Sequence, residues 1–407
     1  MKKTYSWPES HWNWPINVTH KHGVRCGQMI WVGGQVDLTA DGEVCNVGNL
    51  ATQTNNVIAN FSRVLGEFGS DLTDLVFLNC FYVNDGSVDE SVFLTLIANA
   101  LPEGCRTAIT PIPAEYLCYD GLQVEIEGYA MLAEDGQKLP RTYSGETVLG
   151  LRSDRFCTAV RCGEMIFVSA QSPMAADGKL VGKDSIVTQS EQVASNIGRA
   201  LACFGADFDD VVKINRWYCG SDNIEDFEPA ALSFAANFSE PGPAATGVPL
   251  PRHANRDELV RIGVIAMLGT DGQRLPRKYA WPDSLWDWHV HLPYKHGIKC
   301  SNMIFLGGQV SLNKRGQAEH PGELGKQTHQ AMAHIQTILK ELGANYEDVC
   351  KVMTVYQGGC SADDLHENLP IRSAYFPASG PATTGVPLPV LAYDSMCIEI
   401  DIYAMAE

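Results

Sequence analysis

Apolar positions along this chain fall into blocks that switch between helix and strand periods. Val57, Ile58, Phe61, Val64, Leu65 and Phe68 recur at i, i+1, i+4, i+7, i+8 and i+11, one stripe of an amphipathic helix. Gly69 is placed to end it, because glycine accepts the left-handed backbone of a helix C-terminus. Upstream, Met29–Val32 and Gln35–Leu38 flank Gly33-Gly34 and predict a hairpin, followed by a polar turn at Asp41-Gly42. Downstream, Leu75–Val83 predicts a strand, Ser87–Ala100 a second helix, and Arg106–Ile112 and Leu122–Leu132 two further strands. This order predicts an α+β domain: a mixed β-sheet with two helices on one face.

The same blocks occur three times. Tyr5 to Gly42 reads YSWPESHWNWPINVTHKHGVRCGQMIWVGGQVDLTADG, and Tyr279 to Gly316 reads YAWPDSLWDWHVHLPYKHGIKCSNMIFLGGQVSLNKRG, a gapless match. Tyr143 to Gly178 reads YSGETVLGLRSDRFCTAVRCGEMIFVSAQSPMAADG, a shorter relative of both. Glu127-Gly128-Tyr129-Ala130-Met131, Gly263-Val264-Ile265-Ala266-Met267 and Asp401-Ile402-Tyr403-Ala404-Met405 close the copies. The first two closures run into AEDGQKLPRTY and GTDGQRLPRKY, which read as linkers. The copies therefore divide as residues 1–138, 139–274 and 275–407. Each leaves one sheet face bare, and a head-to-tail contact that closes after three steps would cover all three. An intramolecular pseudo-trimer is expected, running as a monomer or low oligomer.

Composition narrows the function. The net charge of −18 argues against nucleic acid and anionic membrane as partners, since both are bound through basic surface. The start, MKKTYSWPES, lacks the apolar run of a signal peptide, and no apolar stretch approaches the length of a membrane helix. Thirteen cysteines without a CxxC pair read as reduced thiols of a cytoplasmic protein, not as disulfides or a zinc site. Cys26, Cys162 and Cys300 are repeat-equivalent and read as buried, inert thiols.

Three motifs in fixed order, Met-Ile-Phe-Leu-Gly-Gly-Gln (303–309), Gly-Pro-Ala-Thr-Thr-Gly-Val (380–386) and Ile-Glu-Ile-Asp-Ile-Tyr-Ala (398–404), resemble those of the RidA/YjgF family of enamine/imine deaminases. The first two copies carry versions of all three. The resemblance implies three RidA-like, chorismate-mutase-like domains, fused where the family usually forms a homotrimer with sites between subunits. It implies no cofactor and no metal.

The family clamps a substrate carboxylate with an arginine in Gly-Pro-Ala-Arg-Ser/Thr, a role suited to its planar, permanently charged fork. On the reading Glu103-Gly104-Cys105-Arg106-Thr107-Ala108, Arg106 matches, while Ala245 and Thr383 stand there in the other copies. The family's glutamate in the last strand matches Glu125 and Glu399, with Arg261 in copy two. Its tyrosine from the neighbouring subunit matches Tyr294, with Phe156 and His20 in the other copies. A lysine of the middle strand matches Lys213 and Lys351, with Phe77 in copy one. The resemblance thus implies one asymmetric site. Arg106 would hold a 2-imino or 2-amino-2-enoic acid, Glu125 and carbonyls near Ala108 would place water, and a neighbour would add Tyr294 and Lys351 or Phe156 and Lys213.

Alternatives stay open on the residues themselves. Arg106 also reads as a surface or ion-pair arginine, and Glu125, alternating with Val124 and Ile126, as a solvated strand residue. His22, with His20 at i, i+2, fits a hydrogen-bonding role at a cleft mouth better than metal binding, for want of acidic or cysteine partners nearby. Trp7, Trp12, Trp14 and their mates Trp281, Trp286, Trp288 read as a packed cap or as a stacking wall for a ring. A non-catalytic small-molecule sensor or binding protein and a chorismatase-like hydrolase of a cyclic carboxylate are the competing functions. Ribonuclease activity is disfavoured by the charge.

Overall fold

The computed structural model describes residues 1–145 and 147–407. In copy one the elements are β1 (Lys3–Ser6), β2 (Gly23–Cys26), β3 (Met29–Gln35), α1 (Leu50–Gly66), β4 (Leu75–Val83), α2 (Glu90–Ala100), β5 (Ala108–Ala114) and β6 (Val124–Met131). The sheet runs β1-β2-β3-β6-β4-β5, antiparallel except for the parallel pair β4 and β5. Copies two and three repeat this order. Their edge strands Arg141–Ser144 and Arg277–Ala280 come from the linkers, and each pairs within the sheet that follows it.

The helical stripe is as the spacing predicts. Val57, Ile58, Phe61, Val64 and Leu65 of α1 are buried against the sheet. Asn49 caps α1 by accepting from the Thr52 N–H, and Asp89 caps α2 through Ser91. No helix among the described residues is long and apolar enough to cross a membrane. All thirteen cysteines are free thiols, and Cys26, Cys162 and Cys300 are buried.

One prediction fails. Gly33-Gly34 is not a hairpin turn: β3 runs through it, with a register shift against β6 between Val32 and Gln35. The hairpin lies one step earlier, between β2 and β3, and turns at Gly27. The glycine pair answers a different demand. A Cβ on Gly33 would lie 2.6 Å from the Thr383 carbonyl oxygen of copy three, and one on Gly34 would lie 1.9 Å from Glu125 Oε1. Gly307 and Gly308 make the same approaches to Ala245 O and Glu399 Oε1. The signal read as a turn is a place where a neighbouring copy's backbone comes too close for a side chain.

The copies contact one another head to tail. Thr107 bridges Phe156, Ala244 bridges Lys295, and Ala382 bridges Lys21, so the third contact returns to copy one. Each seam joins the edge strand that starts near Ala108, Ala244 or Ala382 to the segment before the next copy's hairpin. Facing the centre, Tyr129, Phe167, Phe305 and Tyr403 form one aromatic cluster fed by all three sheets. Gly33→Ala is expected to destabilise the chain by about 1–3 kcal/mol, because the obstacle is a backbone carbonyl that cannot rotate away. Urea unfolding would measure it; an unchanged midpoint would show that the seam yields.

Candidate functional site

The second seam, between copies two and three, and the third, between copies three and one, each enclose a cleft. Arg216, Thr246, Trp286, Trp288, Tyr393 and Glu399 line the second. Arg372, Thr383, Trp12, Trp14, Tyr119 and Glu125 line the third. The sheet puts a glutamate of one copy's last strand opposite the edge strand of the preceding copy.

Both glutamates are buried, Glu125 at 4% exposure and Glu399 at 7%, and Oε2 of each lacks a partner. Burial pushes Glu125 up to about 8, over the opposing pull of Lys351. Burial and the neighbouring Asp401 push Glu399 up to about 8 against Lys213. At neutral pH both are therefore carboxylic acids able to donate a proton.

A buried arginine stands across each cleft. Arg216 leaves the middle strand Val211–Cys219, is 3% exposed, and points an N–H at the Tyr294 hydroxyl at 3.4 Å. Its Nε has no partner, and its guanidinium lies 5.5 Å from the Phe227 ring and 5.9 Å from that of Phe234. Arg372 leaves the helix Asp363–Ser373, is fully buried, and donates to Asn368 Oδ1 at 2.9 Å and Thr383 Oγ1 at 3.3 Å. Burial lowers it to about 10, still a cation at neutral pH, and its second terminal nitrogen is unpartnered. Two buried tyrosine hydroxyls, Tyr218 and Tyr356, are unpartnered as well.

The first seam, between copies one and two, is filled by its own charges. Arg261 takes the glutamate position and bonds Glu258 at 2.8 and 2.9 Å, Glu90 at 3.0 Å twice, and the Pro111 carbonyl at 2.8 Å. Tyr82, the counterpart of Tyr218 and Tyr356, donates to Glu90 at 3.0 Å. The groups left open at the other seams are closed here. With the glutamate gone, Gly34 has Ala170 as its counterpart.

The profile of the family described as Endoribonuclease L-PSP matches residues 16–132, 151–268 and 288–406. The chain is a three-copy member of this family, the RidA/YjgF family. A RutC family protein of Pyrococcus abyssi is 34% identical over 115 residues, covering 28% of this chain and 87% of that protein. The chloroplastic Reactive Intermediate Deaminase A of Arabidopsis thaliana is 30% identical over 112 residues, covering 28% and 58%. The crystal structure of RidA from an Antarctic Psychrobacter is 27% identical, covers 32% of this chain and 99% of its own, and superposes with a TM-score of 0.27.

Strand register places each RidA-like position. Phe77 pairs Ala108, Lys213 pairs Ala244 and Lys351 pairs Ala382, so the three alanines are equivalent. The residue after each alanine holds the family's arginine position, and it is Ile109, Ala245 or Thr383. Arg106 lies three residues too early, in register with Gly242 and Gly380. It donates to the Gly145 carbonyl at 2.9 Å and stacks on Tyr143 at 4.8 Å. The expected pairing of Arg106 with Glu125 therefore fails twice: Arg106 is off the clamp position, and it lies at the first seam while Glu125 lies at the third. The motif slides by three residues in sequence because copy one has Arg106-Thr107 where the others have Gly-Pro.

The remaining residues are scattered over the seams. Ala108 and fully buried Phe156 sit at the first seam, and Tyr294 at the second. Lys213 and Lys351 are fully buried and committed elsewhere: Lys213 pairs Asp401 at 2.9 Å, and Lys351 pairs Glu127 at 2.6 Å and bonds Thr384. Each pair joins two copies beneath a cleft floor, so neither lysine is free for substrate. His22 is no cleft-mouth group. It is buried, stacked on Trp14 at 5.3 Å and edge-on to Trp12 at 4.5 Å, and burial keeps it neutral. His296 holds the same place, stacked on Trp281 at 4.0 Å. The tryptophans thus serve as packed caps around a histidine while Trp12, Trp14, Trp286 and Trp288 also turn edges to the clefts. Arg216 and Arg372 escaped sequence reading, since neither lies in a family motif. Their only signal was an arginine among apolar strand residues and one at the end of a helix.

Proposed function

We propose that the protein is a hydrolase of small carboxylate-bearing imines or enamines, working in the second and third clefts of an internally closed pseudo-trimer. The observation that carries this reading is the pair of buried carboxyls, Glu125 and Glu399, each with an unpartnered oxygen in a cleft and each protonated at neutral pH. Such an acid protonates the imine nitrogen. Its carboxylate then takes a proton from the water that attacks the imine carbon. Returning that proton to nitrogen lets the C–N bond break with its electron pair; as ammonia leaves, the carboxylate takes the proton of the new hydroxyl, the C–O bond becomes a carbonyl and a 2-oxo acid remains. The glutamate ends protonated, as it began. The relative named a reactive intermediate deaminase supports the same chemistry. A net charge of −18 offers little to an RNA backbone, so the ribonuclease name is not extended to this chain. Free thiols throughout fit a reducing compartment.

The test couples an amino-acid oxidase to the purified protein and follows decay of the 2-imino acid. Wild type should accelerate decay, and the double variant Glu125→Gln, Glu399→Gln should lose on the order of a hundredfold, as removal of a positioned acid does. No acceleration over a panel of amino acids would remove the deaminase reading. Saturable carboxylate binding without turnover would make the protein a binding protein instead.

A further inference from the structure

We propose that the carboxylate clamp has moved, and that this chain carries two anion sites, one on Arg216 and one on Arg372, with its first cleft closed by its own charges. The proposal rests on the reading above only for the ligand being a small carboxylate.

The register leaves Ile109, Ala245 and Thr383 at the family's arginine position, so no copy clamps an anion in the usual way. The two open clefts nonetheless each hold one buried guanidinium, brought in from a different element. Copies two and three match without a gap from the middle strand through the edge strand, so Arg216 corresponds to Thr354 and Phe234 to Arg372. Where the strand supplies arginine, the helix supplies a phenylalanine for it to lean on, 5.9 Å away. Where the helix supplies arginine, the strand recedes to threonine, whose hydroxyl is buried and unpartnered. One guanidinium per cleft is kept while its source is exchanged.

Neither arginine has a carboxylate within ion-pair distance among the described residues. A buried, unpaired cation is costly, and folded proteins normally pair such groups. The one acidic side chain among the described residues lining each cleft, Glu399 or Glu125, is held protonated and supplies no counter-charge. The missing charge is then the ligand's. Each cleft offers a guanidinium N–H without a partner and a carboxylic acid, which suits a compact anion with a polar group beside it. Tyr294 stands by Arg216. Its counterpart His20, kept neutral by burial and by nearby Arg372, has a free Nε2 at the third seam. The first cleft shows the contrast: its arginine, Arg261, carries two glutamates of its own.

Pyruvate, the product of the simplest such substrate, is the probe, followed by calorimetry and by the thermal shift it induces. Wild type should bind two pyruvates per chain. Arg216→Met and Arg372→Met should each remove one, the double variant both, and Arg106→Met neither. Arg216→Lys and Arg372→Lys, which keep the charge and lose the fork, should weaken one site on the order of tenfold or more. Without ligand, the methionine variants should melt at or above the wild-type temperature, because a buried unpaired charge is removed; a merely structural arginine would lower it. Two sites surviving in the double variant, binding lost with Arg106→Met, or no pyruvate binding by wild type would overturn the proposal. Pyruvate binding as expected, without imine turnover, would overturn only the deaminase reading.

Discussion

Replacing Lys351 with methionine should lower folding stability by about 3–5 kcal/mol, the cost of stranding a buried carboxylate. Lys351 of copy three and Glu127 of copy one are both essentially unexposed and meet at 2.6 Å, with Asn79 donating to the same carboxyl group at 2.8 Å and Thr384 bonding the ammonium. Removing the cation leaves Glu127 in an apolar seam with one amide for company. The third seam is also the one contact between copies that no linker spans, so its loss opens the ring. The double variant Lys351→Met, Glu127→Gln should recover much of the loss, because no charge then stays buried. Guanidinium unfolding of the two variants checks this. A loss under about 1 kcal/mol for Lys351→Met would mean that water reaches the pair, as at a surface ion pair.

That pair marks where sequence reading stopped. The helix stripe, the strand order and the threefold repeat were legible because each rests on a period that recurs in every copy. Lys213 and Lys351 were legible as special, a lysine in an apolar strand twice over. Their role was not, because the acids that neutralise them, Asp401 and Glu127, belong to another copy. The first seam shows the same dependence: Phe77 replaces the lysine and Gly263 replaces the acid, a paired change visible only when the strands are laid side by side. Gly33-Gly34 misled for a related reason. The pattern of a turn and the pattern of a close approach are the same two glycines, and only the Thr383 carbonyl beside them decides. Arg106 misled through register. A motif slid by three residues looks intact in one dimension and lands off the clamp position in three.

Glu125 and Glu399 give stability a pH dependence that their removal should abolish. Unfolded, each carboxyl ionises near 4.5; folded, each keeps its proton to about 8. Across that window these two carboxyls hold more protons folded than unfolded, so their contribution to stability falls as pH rises from about 4.5 to about 8 and levels off beyond, while the buried histidines, kept neutral, contribute the opposite way below about 6.5 whether or not the carboxyls are present. The double variant Glu125→Gln, Glu399→Gln has neither proton to lose. It should match wild type near pH 4.5 and exceed it by a growing margin toward pH 8. Every tenfold by which folding tightens the hold on one of these protons is worth about 1.4 kcal/mol, well above the effect of an ordinary surface substitution. Asp401, raised by its own burial, stays in both proteins and so drops out of the difference. Thermal melts of the two proteins at matched pH read the effect directly, and parallel curves would show that the clefts admit water enough to ionise both acids. The same titration bears on turnover. The proton that destabilises the fold when lost is the one proposed to reach the imine nitrogen, so activity should decline as pH rises through about 8.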